Sequence, residues 1–513
     1  MTTDVLIGQA YFLRFDPALW AAARPYAPLG ALYAAAWARS AGYRVAFFDA
    51  MLAESVEEWT VALERHQPSV AVIYEDSFNY LSKMCLSRMR DAALEMITAA
   101  CQRGIAVVVA GSDATDHPAI YLQQGATAVV AGEGEVTLVH LLDALRRGDP
   151  DLSEIAGIVF SKRQSLVRTQ PRGTMRNLDV APRPAWDLVD VEHYRAIWQR
   201  RHGYFSMNIS TTRGCPFHCN WCAKPIYGQR YTARSPENVA DEIAWLKAAY
   251  RPQHLWITDD IFGLKPGWVA AFARALAERN AATAFKCLMR ADGVTPDVVA
   301  ALAAAGCRTV WIGAESGSQR VLDAMEKGTR VEQIERAVQL LHQAGIDVGF
   351  FLQFGYPGET LTEIEQTLAM VGRCRPDDIG LSVSYPLPGT PFHERVQSQL
   401  GAKQNWVDSS DLAMMYRATY SPEFYRTLHR FVHARFRASR GWSAVGRIVR
   451  APHRATALDV GAIASGVLQV GVLPLLSWRV QRLARAIPST TATPHMIPLL
   501  SQQAASLPSE QSH

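Results

Sequence analysis

The amino-terminal stretch MTTDVLIGQA has no basic cluster and no apolar run long enough for a secretory leader. It reads as a first β-strand, so a cytoplasmic protein is expected. Grouped cysteines are scarce as well. Of eight, Cys85, Cys101, Cys287, Cys307 and Cys374 stand singly in apolar or helical surroundings. They read as small buried hydrophobes, and a disulfide framework is not expected in a large intracellular chain. No excess of charge marks the whole: the net charge is +4 and 19% of residues are charged, ordinary for a soluble enzyme. From Arg426 to Arg485, however, there are eleven arginines, no lysine and one acid, Asp459. That segment carries +10, so the remainder is mildly acidic, and nucleic acid is not an expected partner.

What is present is a long chain, 513 residues, with 49% hydrophobic residues. It is enough for two or three domains. Strands are expected at Asp4–Gln9, Arg44–Phe48, Ser69–Tyr74, Ile105–Ala110 and Ala126–Val130, with helical stretches between them. That alternation predicts an α/β, doubly wound parallel sheet over 1–150, with a ligand site beyond the carboxyl ends of its strands. Residues 151–200, with Pro182 and Pro184, read as a linker. A second series over 201–400 places strands at 204–210, 254–258, 284–289, 308–314, 347–354 and 379–385. Ser235-Pro236 and Thr295-Pro296 start helices between them. Six βα units predict a partial barrel rather than a closed eight-unit one. Residues 401–487 read as helical and 488–513 as a disordered tail, poor in apolar residues.

The remaining three cysteines stand in Arg213-Gly214-Cys215-Pro216-Phe217-His218-Cys219-Asn220-Trp221-Cys222, just after a predicted strand. Thiolates are soft anionic ligands, and one loop with C-x3-C-x2-C spacing can hold three corners of an iron–sulfur cube. Three ligands for four irons leave one iron open to a substrate or cofactor. Structural zinc would need a fourth ligand, and His218 lies at no usual zinc spacing.

This C-x3-C-x-aromatic-C loop resembles the hallmark of the radical S-adenosylmethionine (SAM) superfamily. The resemblance implies a [4Fe–4S] cluster on Cys215, Cys219 and Cys222. Its open iron would chelate SAM, whose reductive cleavage gives a 5′-deoxyadenosyl radical. Further motifs sit at strand ends, where a βα barrel carries its chemistry. Asp259 and Asp260 end the second strand and are candidates for the SAM ammonium, or for helix capping. Arg290 ends the third and would meet the SAM carboxylate or a surface acid. Gly313-Ala314-Glu315-Ser316-Gly317-Ser318 resembles the family's G-x-E-S-G-S turn, which places Glu315, Ser316 and Gly317 beside SAM. The Gly355–Thr360 and Pro386–Pro391 turns resemble family turns too and read as architecture.

The first domain resembles the Rossmann-like, cobalamin-binding module that precedes the barrel in one branch of the superfamily. That branch includes the anaerobic magnesium-protoporphyrin IX monomethyl ester cyclase and cobalamin-dependent methyltransferases. The matching pieces are Pro28 and Gly30, Asp49, Gly111, and Gly132, Glu133 and Gly134. Two positions depart from the pattern. Asp49 is followed by Met51 where D-x-H-x-x-G would supply an axial histidine, and residue 113 is aspartate. Cobalt is therefore expected to have no histidine ligand from this domain, and Tyr74, Glu75, Asp76, Ser77 and Asn79 are candidates for its lower face.

The resemblance implies an enzyme that uses cluster, SAM and cobalamin to methylate or oxidatively remodel an unactivated carbon. A small-molecule substrate, with lipid or macrocycle in view, and a flavodoxin or ferredoxin as electron donor are expected. A non-catalytic cobalamin/iron–sulfur redox sensor is the alternative. Residues 460–478 lack any charge and are flanked by arginines. Peripheral contact with the inner membrane face and packing over the barrel mouth are the two readings of that segment.

Overall fold

The computed structural model describes residues 3–79, 83–84, 86–148, 151–450 and 457–486; the expected tail 488–513 and Cys85 lie outside them. Strands β1 (Val5–Gly8), β2 (Val45–Phe48), β3 (Val70–Tyr74), β4 (Ala106–Ala110) and β5 (Ala128–Val130) form a parallel sheet in the order 2-1-3-4-5. Side chains alternate across it, as the two-residue strand period requires. Val5, Ile7, Val72, Val108 and Val130 pack against helices Leu29–Ser40 and Glu135–Arg147. Leu6, Ile73, Val107, Val109 and Val129 face helices Glu57–His66 and Ser87–Cys101. The strand order reverses between β1 and β3, so a ligand crevice belongs at the carboxyl ends of those strands.

The stretch expected as a linker is structured. Strands β6 (Ile158–Lys162) and β7 (Ser165–Arg168) form a hairpin that extends the same sheet antiparallel to β5. Helix Val191–His202 follows, with buried Tyr194 and Trp198. The prolines that pointed to a linker occupy only the irregular piece between hairpin and helix. There they break regular structure locally.

The second sheet is six-stranded and parallel throughout. Its strands are β8 (Ser206–Ile209), then, beyond a two-stranded ribbon of β9 (Thr212–Arg213) and β10 (Thr232–Ala233), β11 (His254–Ile257), β12 (Ala284–Met289), β13 (Cys307–Glu315), β14 (Asp347–Phe354) and β15 (Asp378–Val383). The order 15-14-13-12-11-8 leaves β15 and β8 unpaired with each other, an open partial barrel as expected. The helix starts are those expected. Ser235 Oγ accepts from Asn238 N and Thr295 Oγ1 from Val298 N, each ahead of a proline at the first turn. Cys287, Cys307 and Cys374 are buried and Cys101 is half-buried, with no disulfide among them.

Past residue 400 come irregular chain and two long helices, Pro422–Arg450 and Ala457–Arg485, packed as an antiparallel pair. Of the two readings of 460–478, packing over the barrel mouth is not what is seen: an 18-residue apolar window within Val460–Arg485 is only 6% buried. The stretch is long and apolar enough to cross a membrane by length and composition.

Candidate functional site

The cysteine loop springs from the carboxyl end of β8 and is closed by the β9–β10 ribbon. Gly214 opens it at φ +78°, and a Cβ there would lie 2.3 Å from the Arg230 carbonyl, so only glycine fits. Lys224 Nζ donates to the Phe217 carbonyl at 2.8 Å and staples the loop to itself. Buried Asn220 fastens it to the barrel. Its Nδ2 donates to Ala324 O at 2.8 Å, and its Oδ1 accepts from the Tyr356 hydroxyl at 3.0 Å. Its backbone N–H donates to Met325 O at 3.1 Å, and its carbonyl accepts from Phe392 N at 2.9 Å. Sequence reading passed over Asn220 because its partners come from three distant turns.

Cys215, Cys219 and Cys222 are free and half-exposed as whole residues. Burial pushes the Cys222 thiol up to about 11, opposed by Lys224, and raises Cys215 as well. Lys83 lies in electrostatic range of Cys222 and Lys327 of Cys219. The Trp221 indole N–H is buried without a partner. Among the described residues, no three Cys, His, Asp or Glu side chains converge on a point where a single ion would sit. Three soft thiols on one loop, ringed by lysines and an unused N–H donor, fit an anionic iron–sulfur cluster.

The strand-end residues divide into two sorts. Asp259 is buried and fully engaged: Oδ1 accepts from Thr211 N at 2.7 Å and Thr212 N at 3.0 Å, and Oδ2 accepts from the Thr211 hydroxyl. Burial still raises it to about 6 against those bonds. Asp260, beside it, is partly exposed and pairs with Lys83. Arg290 holds Asp292 through two bonds of 3.0 and 2.9 Å, donates to Lys327 O at 2.9 Å, and lies 3.6 Å above the Phe217 ring. Glu315 sits at φ +58° and forms a buried pair with Lys327 at 2.9 Å, whose ammonium lies 6.0 Å from the Trp221 ring. Arg290 and the Glu315–Lys327 pair thus border the cysteine loop. Ser316 and Gly317 face the other way. Ser316 Oγ is 3.1 Å from Thr367 Oγ1, Gly317 N donates to that atom at 2.9 Å, and a Cβ at Gly317 would meet the Gln366 carbonyl at 2.5 Å.

In the first domain, the candidate residues all lie around the strand ends, yet most are held by protein partners. Pro28 caps helix Leu29–Ser40, and Gly30 N donates to Asp76 Oδ1 at 3.0 Å. Asp49 accepts from the Tyr194 hydroxyl at 2.8 Å, and burial raises it to about 6. Gly111 at φ +145° leaves room for Glu75, and Gly134 for the Tyr74 hydroxyl. Gly132, at φ +84°, backs onto the Ile226 carbonyl of the cysteine loop. Glu133 accepts from Met175 N at 2.5 Å and from Arg213. Aspartate at 113 clamps Arg90 through 2.6 and 2.5 Å bonds and accepts from the Tyr121 hydroxyl at 2.6 Å.

Three polar groups at the switch point have no such partners. Both amide atoms of buried Gln9, Glu75 Oε2 and Ser112 Oγ are buried and unsatisfied, at the ends of β1, β3 and β4. Burial raises Glu75 to about 8, although its other oxygen accepts from Ala10 N at 2.8 Å. Unmet buried polar atoms cost free energy unless a ligand or water meets them. Gathered where the sheet offers its crevice, they fit a bulky ligand with polar edges such as cobalamin. Gln9 and Ser112 were missed from sequence, since neither belongs to a motif.

Among the contacts that join the two domains is a buried ion network. Arg213, immediately before Gly214, is buried and pairs with Glu133 and, at 2.7 Å, with Glu135. Its guanidinium lies 5.4–5.9 Å from the Tyr227, Tyr33 and Phe78 rings.

Residues 209–371 match the radical SAM superfamily, so this chain carries a radical SAM domain. An uncharacterized methyltransferase of Pyrococcus horikoshii is 29% identical over 62% of this chain and 70% of its own length. The anaerobic magnesium-protoporphyrin IX monomethyl ester cyclase of Synechocystis is 28% identical over 42% of this chain, which spans 43% of that protein. In fold, the chain is similar to the radical SAM methyltransferase TsrM of Kitasatospora setae, solved with cobalamin and a [4Fe–4S] cluster bound. That match has a TM-score of 0.64 and 22% identity over 78% of each chain. It is also similar to the cobalamin-dependent radical SAM enzyme OxsB, with a TM-score of 0.69 and 16% identity over 91% of this chain and 72% of that one.

Proposed function

We propose that this enzyme cleaves SAM with a cluster held by Cys215, Cys219 and Cys222 and acts together with cobalamin. The reaction is methylation or oxidative remodelling of an unactivated carbon in a small-molecule substrate. When bound, the cluster supplies the electron that splits SAM, and cobalamin supplies a methyl donor or a second redox centre. The chain's own part is to hold and orient. Asp260, the acid with exposed oxygen, takes the SAM ammonium, whereas Asp259 braces the turn that leads into the loop. Arg290 and the Glu315–Lys327 pair would set the charge beside the cluster that the cysteine loop holds, and Ser316 and Gly317 fix the strand-end turn behind them. In the first domain, the Gly132–Gly134 backbone, Gly111, and the unmet polar atoms of Gln9, Glu75 and Ser112 would form the cobalamin cradle. Pro28, Gly30, Asp49 and the Glu133 carboxylate shape that cradle through their protein partners.

The observation that carries this reading is the docking of the cysteine loop onto the fifth-strand turn of the first domain through Arg213. It brings the cysteine loop against the Gly132–Glu135 turn. The radical SAM match weighs against the redox-sensor alternative. In this reading the enzyme is cytoplasmic, touches the inner membrane face through 460–478, takes electrons from a flavodoxin or ferredoxin, and acts on a lipid or macrocycle.

Anaerobic reconstitution of wild type and Cys219→Ala, with iron, cobalamin and SAM products measured, tests the proposal. The variant should lose both the cluster and SAM cleavage, and retention of both overturns it. S-adenosylhomocysteine alongside 5′-deoxyadenosine marks methyl transfer; 5′-deoxyadenosine alone marks remodelling.

A further inference from the structure

The C-terminal helix pair carries an apolar surface that, among the described residues, nothing covers. Its base is conventional. Phe424, Tyr425, Leu428, Val432 and Phe436 join the barrel core, and Val480 and Ala484 of the second helix close over them. Tyr425 packs on Gly355 just past the end of β14, while Arg440, four turns further along, senses Asp347 at the start of the same strand. The first helix therefore runs down the barrel from its mouth toward the opposite end. Beyond that point the two helices pack on each other, at Gly441 and Gly466.

The sides of the second helix are fixed by a close crossing. Gly441 and Gly466 meet backbone to backbone: a Cβ on Gly466 would lie 2.9 Å from the Gly441 Cα. Any larger residue would push the helices apart. Positions 462, 466, 469, 473, 477, 480 and 484 follow at helical spacing on the inner face and are buried or half-buried. The outer face at the same spacing carries Val460, Val467, Leu468, Leu475 and Trp478, all exposed, Leu468 at 74%. Trp442 and Val449 on the first helix are exposed at 69% and 76%. At 1.5 Å per residue the stripe from Val460 to Trp478 runs about 27 Å. Contiguous exposed apolar surface of that length marks an interaction site.

We infer that this hairpin lies flat on an anionic bilayer, its apolar stripe at the acyl boundary and its arginines among the headgroups. Charge selects that occupant. Arg426, Arg430, Arg435, Arg437, Arg440, Arg450, Arg482 and Arg485 are exposed, and of the pair's arginines Arg479 is bonded to Glu423. A second copy of the chain would bring another +10 segment against the first, whereas anionic lipid supplies the missing countercharge. A spanning arrangement would draw Arg435, Arg437 and Arg440 of the first helix into hydrocarbon, and flat insertion keeps them in water. This deepens the membrane contact proposed above and is independent of the SAM chemistry.

Flotation of the full-length, cluster-reconstituted enzyme with vesicles tests it. Vesicles of phosphatidylcholine with phosphatidylglycerol should carry the protein upward, vesicles of phosphatidylcholine alone should carry much less, and added salt should weaken binding. The exposed-site variant carrying Val467→Asp, Leu468→Asp and Leu475→Asp should stay at the bottom with cluster absorbance and SAM cleavage unchanged. An Arg435→Gln, Arg437→Gln and Arg440→Gln variant should lose the lipid preference. Wild type that floats with neither vesicle overturns the inference. So does a wild-type dimer that becomes monomeric in the Asp variant, or carbonate-resistant insertion. Loss of flotation with SAM cleavage intact separates this inference from the proposed reaction.

Discussion

Arg213 Nη2 lies 2.7 Å from Glu135 Oε1, so the residue that opens the cysteine loop is bonded to the turn ending the first domain's fifth strand. Both partners are buried, and Glu133 shares the same guanidinium. Removing one member of a buried ion network strands the others without solvent. Arg213→Met should therefore cost about 3–5 kcal/mol, read by urea unfolding. Arg213→Lys should recover only part, since it cannot bond both carboxylates in the planar fork. In both variants the reconstituted cluster's EPR signal should broaden or shift. An unchanged signal with full stability would show that the bridge does not position the loop.

Gly214 and Gly228 both have positive φ, +78° and +65°, but different surroundings. A Cβ at Gly228 meets nothing within 4 Å, whereas at Gly214 it meets the Arg230 carbonyl at 2.3 Å. Gly228→Ala should cost about 1 kcal/mol for the left-handed backbone alone and keep its iron. Gly214→Ala must also move the ribbon, and iron content after reconstitution should fall severalfold.

The neighbouring acids should separate cleanly. Asp259→Ala leaves two buried N–H groups and a hydroxyl without acceptors, a loss of about 3 kcal/mol or more. Asp260→Asn breaks a single pair with Lys83 and should cost about 1 kcal/mol or less. SAM titration followed by the cluster's spectrum should show weakened binding in Asp260→Asn. Unaltered affinity there would remove Asp260 from the SAM site.

Glu75 predicts a pH dependence of defined sign. Burial raises its folded-state value from 4.5 to about 8, so the folded chain holds that proton more tightly than the unfolded one. Its contribution to stability is therefore complete below pH 4.5, declines as pH climbs to about 8, and is flat above. Glu75→Gln removes this slope and, compared at acid and alkaline pH, should gain up to about 4 kcal/mol relative to wild type. Chemical unfolding of both proteins across pH 5–9 measures the difference, and parallel profiles would exclude a protonated Glu75.

Most of the fold was legible because both sheets are built from parallel βα units. Each strand is a short apolar run and each helix repeats at 3.6 residues, so local pattern and global topology agree. The hairpin Ile158–Arg168 escaped notice because β7 reads SLVR and is largely exposed, giving no apolar signal. The motif glycines were legible too, but not their reasons. Gly111 and Gly134 make room for Glu75 and Tyr74, contacts between separate strands that no local spacing records.

Sequence alone determined the three cysteines, the open-iron chemistry their spacing implies, and the two successive parallel sheets, since these depend on short-range order along the chain. Tertiary structure decided which residues are free to act. It committed Asp259 and Glu133 to protein partners, left Gln9, Glu75 and Ser112 unsatisfied at the switch point, joined the two domains through Arg213, and turned an apolar stripe outward. Those outcomes rest on distances between residues far apart in the chain, and only folding sets such distances.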